Sequence, residues 1–390
     1  MRGHIRKRGL KSWSIIVELD RGTDGKRRQK WETIQGTKKK AEAKLAQILH
    51  ALETGMYIEP SRLTVAAYLD KWLETAKSNV AGKTFERYSE IVKRHLVPSL
   101  GHLLLSKLTA LHIQAVHAKD LLSGRLDGRE GGLSPQTVIH HHRILREALQ
   151  QAVRWQLLPR NPADAVEPPK AQRREMRAID APQMAWLLSV VRGTRLYLPV
   201  MLAVTTGMRR GEFLGLRWAD IDFLQSTAAV RRSVEQTKEG LRLKSPKGKR
   251  GRLIPLPAIT IEALREHRAR QDAHKDAMGD AYLDGGIICA QPDGAQWPPD
   301  TFTHQFARIA KTAAGLKGVR LHDLRHSHAT HLLQQGVHPK IVSERLGHST
   351  VAITLDTYSH VLPGMQADAV AKVDTTLREA ISAQGSKKLV

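Results

Sequence analysis

One cysteine, Cys289, stands in 390 residues. A single thiol has no partner within the chain, so a disulfide framework and a cysteine-based zinc site are both excluded, and a reducing cytoplasm is the compartment that fits. No uninterrupted apolar run approaches the roughly 18 residues that would suggest a membrane span. The basic start Met1-Arg2-Gly3-His4-Ile5-Arg6-Lys7-Arg8 is not followed by the apolar segment of a secretion signal. Neither secretion nor a membrane partner is expected. Internal repeats and low-complexity segments are lacking too. Acidic residues are scarce: 38 Asp and Glu face 62 Lys and Arg, a formal charge of +24. With 41% hydrophobic residues the chain can fold, so its charge lies on folded surfaces and calls for a polyanion, most commonly nucleic acid. At roughly 100–200 residues per domain, the length predicts two to four domains.

Near the N-terminus Trp13, Ile15, Val17 and Leu19 alternate with polar neighbours, the period of a strand with one apolar face. Asp24-Gly25 signals a hairpin, 26–33 reads as a second, very basic strand, and 38–54 as a helix capped by Thr37 with Ala41, Leu45, Ile48, Leu49 and Leu52 on one face. A small ββ(β)α module over 1–60 is expected, with Arg6, Lys7, Arg8, Arg27, Arg28 and Lys30 as its DNA-facing cations, in the manner of β-ribbon readers. From 61 to 166 only helical patterns occur, over 65–76, 82–96, 109–122 and 134–155, the last opened by Ser134-Pro135. Within it His140, His141 and His142 project about 100° apart on a helix. They cannot all face one ion and are expected to be solvated or phosphate-facing. Pro159, Pro162 and the run from Glu167 to Arg174 read as an extended connection, assigned to 167–178, in which Arg173 and Arg174 form a positive strap. From 179 to 364 helix and strand signals mix, with strands 227–234, 241–244 and 252–256 expected to form one antiparallel meander. The overall class is therefore multidomain, mainly α with small antiparallel β-sheets.

Several basic groups in this last region sit at helix starts or tight turns. Thr206-Gly207-Met208-Arg209-Arg210-Gly211-Glu212 interrupts one apolar helix and opens another, where free N–H groups and the helix dipole favour an anion. Glu212 lies one turn after Arg209 and can orient its guanidinium. His322 and Arg325 share a helix face by their three-residue spacing. His322 and His326, with His328 and His331 nearby, have zinc-compatible spacing, but no HExxH glutamate lies between them and no metal is expected. Leu346-Gly347-His348 ends a helix beginning near Pro339, and Tyr358 follows ten residues later.

Together Arg209, Lys247, His322-x-x-Arg325, Leu346-Gly347-His348 and Tyr358 resemble the tyrosine recombinase (phage integrase) family in order, spacing and local structure. The lysine is placed at Lys247 because 247–255 parallels the family's Lys-Gly-x-x-x-Arg-x-x-Pro hairpin, with Lys244 and Lys249 as rivals. The resemblance implies an all-helical, SAM-like core-binding domain over 61–166, a mixed α+β catalytic domain of the tyrosine recombinase type over 179–364, and an N-terminal module for arm-type sites. It also implies a mechanism. Tyr358 attacks a scissile phosphate and leaves a 3′-phosphotyrosyl bond. Arg209 and Arg325 clamp the non-bridging oxygens, His322 accepts or shares the tyrosine proton, His348 bonds a phosphate oxygen, and Lys247 protonates the leaving 5′-oxygen. Religation then needs no cofactor, neither ATP nor metal. The implied partners are double-stranded DNA at core-type and arm-type attachment sites, three further copies in a tetramer, and DNA-bending or excision proteins. The tail 365–390 has Val370, Val373, Leu377, Ala380 and Ile381 at helical spacing, and packs either on its own domain or on a neighbour.

Two other classes compete. A non-catalytic DNA-binding regulator on the same scaffold has no reason to keep all six catalytic side chains in register. A metal-dependent nuclease would lose its activity in a chelator.

Overall fold

The computed structural model describes residues 3–19, 28–54, 62–172, 177–246, 251–358, 370–371 and 373–381. The chain divides into two compact units, Met1–Arg173 and Arg174–Val390. The break lies within the expected connection.

The first unit begins with an antiparallel sheet of β1 (Gly3–Gly9), β2 (Ser12–Leu19) and β3 (Arg28–Gln35) in sequence order, followed by α1 (Lys38–Glu53). Thr37 caps α1 by accepting from the Lys40 amide. Ile15, Val17 and Ile48 close a small core with Leu45, Leu49 and Leu52, the apolar face read from the sequence. The register pairs Ile5 with Ile15 and Lys7 with Trp13, whereas Arg6 pairs with Ser14. Because strand side chains alternate, Arg6 projects from the face opposite α1, and Lys7 from the face that α1 covers. Val17 pairs with Lys30, which puts Lys30 on the α1 side as well, where it meets Glu32 at 3.3 Å. The expected DNA-facing set is thus divided between the two faces. Arg27 lies outside the described residues.

Helices follow: α2 (Val65–Asn79), α3 (Gly82–Ile91), a π-turn at Val92–Leu96, α4 (Val97–Leu100), α5 (Ala110–Ser123) and α6 (Pro135–Arg154). Thr64, Thr109 and Ser134 each cap the helix that follows with a side-chain oxygen. Tyr68, Leu69, Leu96, Leu100, Ile113, Leu145 and Leu149 form the core, each large apolar side chain contributing about 1.5–3 kcal/mol on burial. Two expectations are corrected here. His140 is exposed, but His141 and His142 are 2% and 5% exposed, because they fall on the buried face of α6. His141 is held by Asp120 at 3.1 Å. The stretch around Pro159 and Pro162 is not an extended linker: Leu158, Ala163 and Val166 join the helical core through a 3₁₀ turn at Pro162–Ala165, which Asn161 caps.

The second unit carries α7 (Ala181–Val191), α8 (Tyr197–Thr206), α9 (Arg210–Leu214), β4 (Ile221–Asp222), β5 (Thr227–Val230), β6 (Ser233–Thr237), β7 (Gly240–Lys244), β8 (Arg252–Pro255), α10 (Ala258–Met278), α11 (Pro299–Thr312), α12 (Leu321–Gln334), α13 (Pro339–Leu346) and α14 (Val351–Tyr358). The expected single meander is in fact two sheets, β4-β5-β8 and the hairpin β6-β7. The break falls at Arg231 and Arg232, whose guanidiniums reach the buried Asp220 at 4.0 and 3.2 Å, so the chain leaves one sheet before entering the next. The main core gathers Leu198, Met201, Leu202, Phe213, Leu214, Ile254, Leu264, Trp297, Phe302 and Phe306. A smaller cluster of Ala329, Leu333, Val342, Leu346 and Tyr358 joins α12, α13 and α14. Residues 370–371 and 373–381 are helical, with Val370, Val373, Leu377 and Ile381 exposed. Among the described residues, no helix is long and apolar enough to cross a membrane.

Candidate active site

The site is assembled where two chain reversals meet. Gly207, at φ +65°, ends α8. An added Cβ there would stand 2.7 Å from both His328 and Leu346, so the turn needs glycine for space as well as for dihedral. Two residues later Arg209 occupies the position before α9, and its amide donates to Glu212 Oε2 at 2.9 Å. At the far end of α13, Gly347 repeats the left-handed turn at φ +66° and leaves the carbonyls of Leu346 and Gly347 free to accept.

The arginines use these carbonyls. Arg209 donates to Glu212 Oε1 at 2.9 Å, to the Gly347 oxygen at 3.0 Å and to the Leu346 oxygen at 3.4 Å. Arg325, on α12, donates at 2.7 Å to both the Gly207 and Leu346 oxygens. It is buried, and burial, followed by the charge of Arg209, pulls its guanidinium down to about 9, still cationic at neutral pH. Glu212 is 1% exposed and lies between two guanidiniums, because Arg252 also donates to it at 3.2 and 2.7 Å. Burial alone would raise this carboxyl, but Arg252 and then Arg209 hold it below its ordinary value. Arg252 fastens in turn to the Arg345 carbonyl at 2.9 Å, and Arg345 reaches Thr205 O and His328 Nε2, both at 3.0 Å.

Tyr358 ends α14 and is 2% exposed; burial pushes its phenol up to about 12 against the opposing charge of Arg325. Its hydroxyl lies 2.7 Å from His326 Nδ1. His322, one turn earlier on α12, is exposed and packs edge-on against His326 at 4.8 Å between ring centroids. His348 Nδ1 meets Thr354 Oγ1 at 2.8 Å, which leaves Nε2 for a ligand. Burial, then Arg325 and Arg209, lower its imidazole to about 4. His328 is committed at both nitrogens, to Val204 O at 2.9 Å and to Arg345.

Of the residues expected from sequence, Arg209, Glu212, Arg325, His348 and Tyr358 thus converge on the turns around Gly207 and Gly347, with His322 at their edge. Lys247 and its rival Lys249 lie outside the described residues, as do Arg173 and Arg174. The other rival, Lys244, is engaged by Glu235. Arg252 and Arg345 were not singled out from sequence, and His326 was noted only for its zinc-compatible spacing from His322. Arg252 carried a signal, as the arginine of the 247–255 pattern; His326 and Arg345 act through contacts that spacing alone does not reveal.

A hydroxyl buried within the charge field of Arg325, a cation fixed by two backbone carbonyls, suits nucleophilic phosphoryl transfer, where charge develops on phosphate oxygens and the donors need not reorganise. Relatives agree with that chemistry. Residues 177–364 match the Phage integrase family, and residues 64–119 match the phage integrase N-terminal SAM-like domain. The tyrosine recombinase XerC-like protein of Caldanaerobacter subterraneus subsp. tengcongensis is 29% identical over 385 residues, covering 93% of this chain and 96% of that one. An integrase of Streptomyces ambofaciens is 27% identical over 372 residues, covering 92% of each. Among solved structures, the Tn1549 transposon integrase in complex with transposon right end DNA has a TM-score of 0.67 at 19% identity, over 80% of this chain and 99% of that one. The chain belongs to the phage integrase family, the tyrosine recombinases, and is a site-specific recombinase that cuts and rejoins DNA strands.

Proposed function

We propose that Tyr358 is the nucleophile and that the chain moves a mobile element into or out of a bacterial chromosome through a 3′-phosphotyrosyl intermediate. The Tyr358 oxygen attacks the scissile phosphorus, and the 5′-oxygen leaves as a hydroxyl. Arg209 and Arg325 take the non-bridging oxygens, and Glu212 and Arg252 keep the Arg209 fork aimed. His348 donates from Nε2, and Lys247 protonates the leaving oxygen. Because the phosphotyrosyl bond conserves the energy of the diester, the reaction needs no ATP. The observation that carries this reading is the buried Tyr358 phenol lying within the charge field of Arg325, itself fixed by two backbone carbonyls.

On this reading 61–166 binds core-type DNA and 179–364 is catalytic. The 1–60 module grips arm-type sites through the helix-free face that carries Arg6, and 167–178 connects the grips. Four copies act together, and the apolar stripe of Val370, Val373, Leu377 and Ile381 docks on a neighbouring copy. DNA-bending or excision proteins set the direction, and the work is done in the cytoplasm. A nicked suicide substrate tests the chemistry. Wild type accumulates a covalent adduct that maps to Tyr358, and Tyr358→Phe binds the site with no adduct; an adduct on another residue overturns the assignment.

A further inference from the structure

We propose that His326 is a catalytic residue of this recombinase, the group that holds the Tyr358 hydroxyl before attack and takes its proton as the phosphotyrosyl bond forms. The proposal rests on Tyr358 being the nucleophile.

The geometry is direct. His326 Nδ1 lies 2.7 Å from Tyr358 Oη, within the range of a strong O–H···N hydrogen bond. The ring centroids are 5.8 Å apart and the planes meet at 54°, so the imidazole approaches the oxygen and does not stack on the phenol. The two residues are held by separate supports. His326 rides on α12 directly after Arg325, and Tyr358 is locked into the cluster with Ala329, Leu333, Val342 and Leu346. The phenol must lose a proton to attack, and among the described residues no other side chain makes a hydrogen bond with its oxygen. His322, four residues earlier, touches the His326 ring edge-on, which places it beside the acceptor.

The electrostatics explain why the pair stays quiet until DNA arrives. The groups facing His326 are His322, Asp323, Arg320, Arg325 and Tyr358. Burial first, then His322 and the two arginines against Asp323, lower its imidazole to about 4. With the phenol pushed up to about 12, proton transfer in the free protein is strongly uphill, and the two remain a neutral hydrogen-bonded pair. A phosphate seated on Arg325 brings negative charge beside one of the cations that disfavour an imidazolium, so bound substrate lowers the cost of the transfer. Tyr358 Oη bonds to phosphorus while its proton moves to His326 Nδ1, the P–O5′ bond breaks, and the 5′-oxygen takes a proton from the general acid. Religation runs the same path backwards and returns the His326 proton to the tyrosine oxygen.

The test is single-turnover cleavage of a nicked suicide substrate by full-length His326→Ala and His326→Asn, with Tyr358→Phe as the reference for the nucleophile. Both His326 variants are expected to bind the site as wild type does and to form the adduct on the order of 10²–10⁴-fold more slowly. Asparagine keeps a polar atom near the place of Nδ1, which preserves folding and orientation without a basic nitrogen. Added imidazole should restore a large part of the rate to His326→Ala, more with more basic azoles, a response that a merely structural residue would not give. A substrate with sulfur at the bridging 5′-position should not rescue either variant, because leaving-group protonation is not what they lack. Wild-type rates in either variant overturn the proposal, as does slow cleavage by His326→Ala that no azole improves. An adduct formed by Tyr358→Phe would instead overturn the nucleophile, and this proposal with it.

Discussion

Arg209 and Arg325 both donate to the carbonyl oxygen of Leu346, at 3.4 and 2.7 Å. Two cations converging on one main-chain oxygen at the end of α13 are held close despite their repulsion. Lysine cannot reproduce the arrangement, because an ammonium lacks the planar fork that reaches two acceptors at once. Arg325→Lys is expected to lower the rate of adduct formation by about 10²-fold or more while site binding, measured by gel shift, changes little.

Glu212 supplies a pH signature. Its folded value lies below the ordinary 4.5, so the ionised carboxylate contributes stability that is fully present above that value and lost as pH falls through the lower, folded value. Denaturant midpoints of the wild type should therefore fall as the pH is taken below about 4.5, the ordinary glutamate value. Glu212→Gln should be less stable at neutral pH by roughly 3–5 kcal/mol, since two guanidiniums lose a buried partner, and its stability should fall less over the acid range.

Gly207→Ala tests the turn that begins the site. The positive φ and the 2.7 Å approaches to His328 and Leu346 oppose any side chain there. A loss of roughly 1–3 kcal/mol in urea denaturation is expected. A fall in cleavage should accompany it, because Gly207 also offers its carbonyl to Arg325.

The lysine assignment is open to a direct comparison. Lys244 is already engaged by Glu235, so Lys244→Ala should cleave at near wild-type rate. Lys247→Ala should be slow, by about 10²–10⁴-fold, and a 5′-bridging sulfur substrate should restore most of the loss. Rescue of Lys249→Ala in place of Lys247→Ala would move the general acid by two residues.

How much was legible in the sequence depended on range. Local signals held: Thr37 and Ser134 cap their helices, and the apolar face of α1 is the one its spacing shows. What failed depended on distant partners. The meander divides because Arg231 and Arg232 turn toward Asp220, and nothing in the local alternation of 227–234 shows that contact. His141 and His142 read as polar and are buried, because α6 turns that side inward, where Asp120 on α5 supplies a partner for His141. In the site, the motif residues were visible as a set. The carbonyls that anchor them were not, since a backbone oxygen has no letter in the sequence.

The cluster that holds Tyr358 is small and separate from the main core of its unit. Ala329, Leu333, Val342 and Leu346 surround the nucleophile, whereas the arginine at 209 follows α8, whose side chains lie in the larger body. Local opening free energies scale with buried apolar contact, so amide protons in α13 and α14 should exchange with deuterium sooner than those in α8. A tyrosine packed outside the main core leaves that core intact when α14 shifts, which would make strand cleavage a matter of where one short helix rests.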